Sequence, residues 1–236
     1  MHPGFLVVFS EPGTQVCLDE FQDWYNNEHV PLRMDYLRSF LTGARFSAAD
    51  ALKPSWLALY DVDDTSTFEH ESYTRLRSNR SPREANLVAR LEVLDRRTCE
   101  VVVDSGPSAI TSSLAASDPT KFVVTHGINF TPGQDINDLM ATIVQRLQGV
   151  KGWVRTRAFC CIDNLKTGTA VAGKGPEEQA VPKYLVLHEL QHASVAESAG
   201  FRSVVDATRE GVQIVDVRRW NLYRAYPGIA QGKLKQ

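Results

Sequence analysis

Two hexapeptides decide the fold: Trp56-Leu57-Ala58-Leu59-Tyr60-Asp61 and, far downstream, Tyr184-Leu185-Val186-Leu187-His188-Glu189. Each opens on an aromatic residue, places Leu second and fourth, and ends on an acid, the pattern of a short buried strand. Working outward, the flanking segments match as well. Phe5-Leu6-Val7-Val8 answers to Phe122-Val123-Val124, and each run is followed by a Pro-Gly turn, Pro12-Gly13 and Pro132-Gly133. Helical spacing then runs through Phe21, Trp24, Tyr25, Glu28 and His29 in one half and Ile136, Leu139, Met140, Ile143, Val144 and Leu147 in the other. Second strands are expected around Gly43 to Phe46 and Trp153 to Phe159. Beyond the hexapeptides lie helical stretches at 67–76 and 82–91, against 194–207. Closing strands match at Val93 to Thr98 and Val215 to Trp220.

The order β-α-β-β-α-β therefore occurs twice, the ferredoxin-like pattern of an antiparallel sheet with two helices on one face. The bare faces of two such sheets can bury each other. The expected fold is α+β: two tandem ferredoxin-like halves forming a dimeric α+β barrel within one chain. The halves are read as 1–104 and 121–236, joined by a Ser-, Pro- and Ala-rich linker over 105–120.

The 236 residues carry 26 Lys and Arg against 28 Asp and Glu, a formal net charge of −2. That balance gives no footprint for a phosphate backbone, so no nucleic acid partner is expected. No apolar run is long enough to span a bilayer, and the N-terminus lacks a secretion signal. The four cysteines, Cys17, Cys99, Cys160 and Cys161, show no metal spacing. The expectation is a reduced, cytoplasmic protein without membrane contact, able to pair again as a homodimer through its edges.

The two halves differ at one helix. Its stripe is wholly apolar in the second half, whereas in the first it is aromatic and ends in Glu28 and His29. Tyr25 and His29 are neighbours on that helix, facing an aromatic wall of Trp56 and Tyr60 from alternate strand positions. Pro31 disfavours helical geometry at Val30, so the helix should end or kink beside His29. A histidine near helix-terminal carbonyls and a carboxylate suits general acid–base work.

The segment Asp23-Trp24-Tyr25-Asn26-Asn27-Glu28-His29-Val30-Pro31-Leu32 resembles the W-Y-x-x-x-H-x-P signature of the EthD-like family of dimeric α+β barrels. The run from Tyr73 to Glu84, with Leu94 to Arg97, resembles a fungal branch of it. The resemblance implies that His29, Tyr25 and Trp24 line a pocket, and it implies activities ranging over decarboxylases, dehydrating cyclases of polyketide pathways and cofactor-independent monooxygenases. The second half has no such motif.

The leading expectation is a cofactor-free lyase, a decarboxylase or dehydrating cyclase, acting on an aromatic or polyketide-derived molecule. His29 would move the proton with Glu28 or a nearby carboxylate orienting it, and Tyr25 would stabilise an enolate-like oxygen. Trp24, Trp56 and Tyr60 would stack on the substrate, with Arg33 set to hold a carboxylate. The alternatives are an oxygen-dependent monooxygenase of phenols or anthrones and a non-catalytic barrel binding a hydrophobic metabolite. No metal is expected, and no haem axial ligand is identifiable. His188 reads as a hydrogen-bonded strand histidine, His126 as a strand-end histidine without a partner, and 163–181 as a loop that could close as a lid.

Overall fold

Alternating apolar positions on eight strands leave two faces to bury, and the chain buries both by closing its sheet. The computed structural model describes residues 2–232. The first half contributes β1 (Gly4–Glu11), β2 (Phe40–Ala48), β3 (Trp56–Val62) and β4 (Val93–Asp104). The second contributes β5 (Phe122–Phe130), β6 (Trp153–Thr167), β7 (Tyr184–Leu190) and β8 (Val212–Tyr226). They form a closed antiparallel barrel in the order β1-β3-β2-β8-β5-β7-β6-β4. Each half keeps its own four strands together, and the seams are β2 with β8 and β4 with β6. The duplication extends to register: Leu6 lies opposite Tyr60 and Val124 opposite His188.

The barrel interior takes one set of alternate residues, among them Phe5, Val7, Phe9, Phe46, Leu57, Leu59, Phe159 and Trp220. Phe5 and Phe159 stack across the halves at 3.9 Å. The other set faces outward beneath helices. In the first half these are α1 (Leu18–Trp24), α2 (Pro31–Met34), α3 (Glu71–Ser78) and α4 (Pro82–Arg90), over Leu6, Val8, Ala58 and Tyr60. In the second they are α5 (Ile136–Leu147), α6 (Ala193–Glu197) and α7 (Ala199–Val205), over Val124, Ala158 and Val186.

The interior face also carries buried charged side chains. Arg157, almost wholly buried, bonds Asp61 of β3 at 2.5 Å and Glu189 of β7 at 3.0 Å, the two acids that end the matching hexapeptides. The stretch 105–120 has neither helix nor strand, yet it packs tightly here. Leu114 joins the interior core, while Ser113 and Thr120 donate hydroxyl hydrogen bonds to Glu189 at 2.8 and 3.0 Å.

Two expectations are corrected. The segment 163–181 is not one loop: β6 continues to Thr167, paired with β4 from Thr98↔Asp163 to Leu94↔Thr167. A long partner strand satisfies its backbone groups, which outweighs the polar composition. Of the end or kink expected beside His29, the structure shows no end but a local deviation within a continuing helix, and the expected non-helical Val30 is corrected. Val30 is helical (φ −69°, ψ −46°), and residues Tyr25–His29 form a π-turn in which the Val30 N–H donates to the Tyr25 carbonyl at 3.0 Å. The wider turn admits the proline ring, and the backbone resumes as α2.

Among the described residues no helix is long and apolar enough to cross a membrane.

Candidate active site

The π-turn projects its side chains onto the outer face of β2 and β3. Trp24, Tyr25 and His29 pack ring to ring, with centroids 4.6 Å apart for Trp24–Tyr25, 4.6 Å for Trp24–His29 and 5.1 Å for Tyr25–His29. Trp24, Tyr25 and Tyr60 are each 99% buried or more, and Trp56 is half-buried at the edge of the same cluster. Tyr60 fits because β2 carries Gly43 opposite it: a Cβ there would stand 3.0 Å from the Tyr60 ring and 2.9 Å from the Met34 sulfur.

The carboxylate that orients His29 is Glu84, with His29 Nδ1 to Glu84 Oε1 at 2.7 Å. Glu28 turns the other way. It accepts from the Ser81 hydroxyl and lies 3.7 Å from the Arg83 guanidinium. Ser81 in turn caps α4, accepting from the Glu84 N–H at 3.0 Å. Glu28 thus fixes the start of the helix that presents Glu84. The sequence hid this role because Ser81-Pro82-Arg83-Glu84 has the spacing of a capping box, in which the glutamate bonds back to its own helix. Here the backbone half of the box forms and the side chain goes to His29 instead.

Since the carboxylate accepts from Nδ1–H, the neutral imidazole keeps its lone pair on Nε2. Burial, and then the positive charge of Arg33, lower the His29 pKa to about 4 against the opposing pull of Glu84. Burial raises the Glu84 pKa, but the His29 bond and the charges of Arg33 and Arg80 outweigh it and hold the carboxyl below its usual range. At neutral pH the pair is an ionised glutamate beside a neutral histidine. Burial raises the pKa values of Tyr25 and Tyr60, so both hydroxyls remain protonated donors.

Arg33 is buried beside the pair and donates to the His29 carbonyl at 2.7 Å. A second guanidinium, Arg45 of β2, had no signal of its own in the sequence beyond its alternation with core residues. Arg45 is 1% exposed and lies 4.0 Å from the Tyr25 ring centroid, with Phe21, Trp56 and Tyr223 at 5.1–5.4 Å. It donates to Asn26 Oδ1 at 3.2 Å, as does the Tyr226 hydroxyl at 2.5 Å. Buried polar atoms without a partner cluster here: Trp24 Nε1, Tyr60 Oη, Glu84 Oε2, Arg33 Nε and Arg45 Nη2. A cavity of about 790 Å³ opens on the Asn26 side of the π-turn and is lined by Asn26, Val30, Met34, Thr42, Arg224 and Tyr226 among others.

The equivalent place in the second half is built differently. His188 stands where Tyr60 stands, and its Nε2 meets His126 Nε2 at 3.1 Å while its Nδ1 meets the Thr156 hydroxyl at 2.9 Å. Both rings are wholly buried, so both pKa values fall, that of His126 to about 4. His188 is the hydrogen-bonded strand histidine expected, and the partner of His126 is His188 itself. Among the described residues no three His, Cys, Asp or Glu side chains converge in a metal-binding group.

No family model and no curated protein matches this sequence. Solved structures do resemble the fold. An anthrone oxidase-like protein matches with a TM-score of 0.57 at 8% identity, over 100% of this chain and 97% of its own. A protein named as a monooxygenase from Fusobacterium nucleatum matches with a TM-score of 0.59 at 7% identity, over 96% and 94%. Another named as a monooxygenase, from Lactobacillus acidophilus, matches with a TM-score of 0.54 at 9% identity, over 97% of each chain. At 7–9% identity this likeness shows the fold alone, a closed α+β barrel, and does not single out a fungal EthD-like branch. It also corrects the lyase expectation: the solved structures that share the fold include an anthrone oxidase-like protein, two named as monooxygenases and one named as a chlorite dismutase, which are not names of decarboxylases or polyketide cyclases.

Proposed function

We propose that this protein is a monooxygenase of phenols or anthrones, working without an added cofactor, with the His29–Glu84 pair as its base. The reading rests on an imidazole whose side chain is 11% exposed, with Nδ1 fixed by a carboxylate, no hydrogen bond to Nε2 among the described residues, and the rings of Trp24 and Tyr25 packed against it. His29 Nε2 takes a proton from the substrate's acidic C–H or O–H, and Glu84 stabilises the imidazolium that forms. Tyr25 and Tyr60, both neutral, and the guanidinium of Arg33 face the resulting enolate or phenolate. That electron-rich anion reacts with dioxygen: for an anthrone, the CH2 group becomes C=O and the second oxygen atom leaves as water. The names of the fold neighbours agree with such chemistry.

The acid–base geometry explains why a histidine of low basicity suffices. The imidazolium is penalised by burial and by the nearby charges of Arg33 and Arg80 in the resting site, but in the reacting complex it stands next to the anion that it created. Mass spectrometry of anthrones and naphthols incubated under ¹⁸O₂ tests the reading. Incorporation of one labelled oxygen atom into a quinone product supports it. Loss of carbon dioxide or water without label, or label-free products throughout, contradicts it.

A further inference from the structure

Six arginines are buried, and four of them are neutralised by a carboxylate: Arg157 by Asp61 and Glu189, Arg97 by Asp95, Arg218 by Asp50 and Arg96 by Asp163. Arg33 lacks an ion pair but faces the charge of Glu84, whose carboxyl it helps to keep ionised. Arg45 stands apart. Among the described residues it makes no ion pair; its one hydrogen bond is to the neutral Asn26, and its Nη2 has no partner. Desolvating a guanidinium costs several kcal/mol even after relaxation, and aromatic faces offset only part of that. Arg33 thus has the Glu84 charge near it, whereas among the described residues no carboxylate forms an ion pair with Arg45.

Resting on the reading of this pocket as a substrate site, we infer that Arg45 is its anion-binding residue and that the ligand is a planar aromatic bearing a carboxylate or phenolate. The four rings around the guanidinium are also stacking surfaces, so the charge of such a ligand would meet Arg45 while its plane lies along Tyr25 and Trp56. The nearest cavity is lined by Asn26 and Tyr226 and not by Arg45 itself; because Asn26 bonds both Arg45 and Tyr226, a ligand coming from that side would have to displace Asn26 to reach the guanidinium. Arg224, on the same wall, adds positive charge at the mouth.

The test is calorimetric titration of the full chain with 2-naphthoate and with its neutral isostere 2-naphthamide. Wild type should bind the carboxylate at least about tenfold tighter, the lower end of what a hydrogen bond to a charged group supplies. Arg45→Met should retain affinity for the amide and lose the preference, and Arg45→Lys should keep it. Equal binding of both ligands by wild type, or a preference that survives in Arg45→Met, overturns the assignment and leaves the pocket reading standing. Binding of neither ligand removes the pocket reading and this inference with it. Arg45→Met should also melt no lower than wild type, since it removes a buried charge without an ion pair; an unfolded variant would make Arg45 structural and overturn the assignment.

Discussion

His29 is defined by what surrounds it more than by its own chemistry, and its pH behaviour follows. If His29 is the base proposed above, its pKa of about 4 keeps it unprotonated at neutral pH, and kcat/KM should fall only as pH approaches that value. Because the Glu84 bond raises the histidine's pKa, Glu84→Gln should move this acid limb to still lower pH and reduce the rate; an unmoved limb would separate Glu84 from His29 function. Stability has its own pH window. His29, His126 and His188 all have folded pKa values below the ordinary 6.5, so the unfolded chain takes up protons first. Their neutral forms support the fold fully above pH 6.5, and stability drops as pH falls from 6.5 toward 4, with a slope approaching 1.4 kcal/mol per pH unit for each independent histidine. Urea denaturation between pH 7 and 4.5 should show the loss, and the double variant His126→Leu, His188→Leu should flatten it. At this scale the sequence showed His29, Tyr25, Trp24 and Tyr60 through spacing alone. It could not show Glu84, which hides in a helix cap, or Arg45, which lies on a strand face whose neighbours are set by tertiary packing.

The π-turn at Tyr25–His29 is the element on which the site depends. It carries His29 toward Glu84 and Asn26 toward β8 at once, which a regular helix ending at Pro31 would not do. The proline marked the place in the sequence; the direction of the deviation, a widening and not an end, depends on packing against β2 and β3. Gly43 is the complementary requirement. Its missing side chain lets Tyr60 lie flat against the strand, and Gly43→Ala should displace the ring or the Met34 side chain. The expected cost is about 1–3 kcal/mol, typical of overpacking, measurable by chemical denaturation. An unchanged midpoint would mean that α2 and its Met34 yield freely.

In the whole molecule, duplication was legible because the hexapeptides ending in Asp61 and Glu189 keep their register. What those acids share was not: both bind one arginine inside the barrel, and that link exists only once the seams close. Strand pairing across halves, β2 with β8 and β4 with β6, leaves no trace in local pattern, nor does the continuation of β6 through polar residues. We propose that 1–104 and 121–236 are the two copies of one unit, with 105–120 serving as joint and as plug. Arg157→Met should then destabilise the barrel by about 3–5 kcal/mol by leaving two carboxylates unpaired, read as a lowered denaturation midpoint. A variant as stable as wild type would contradict that role.

If the His29–Glu84 pair is the base of an oxygen-dependent reaction, oxygen uptake with anthrone must depend on His29. Wild type should consume one dioxygen per anthraquinone formed, and His29→Ala, checked to melt like wild type, should be slower by about 10²- to 10⁴-fold. Equal uptake by the two proteins would contradict the account.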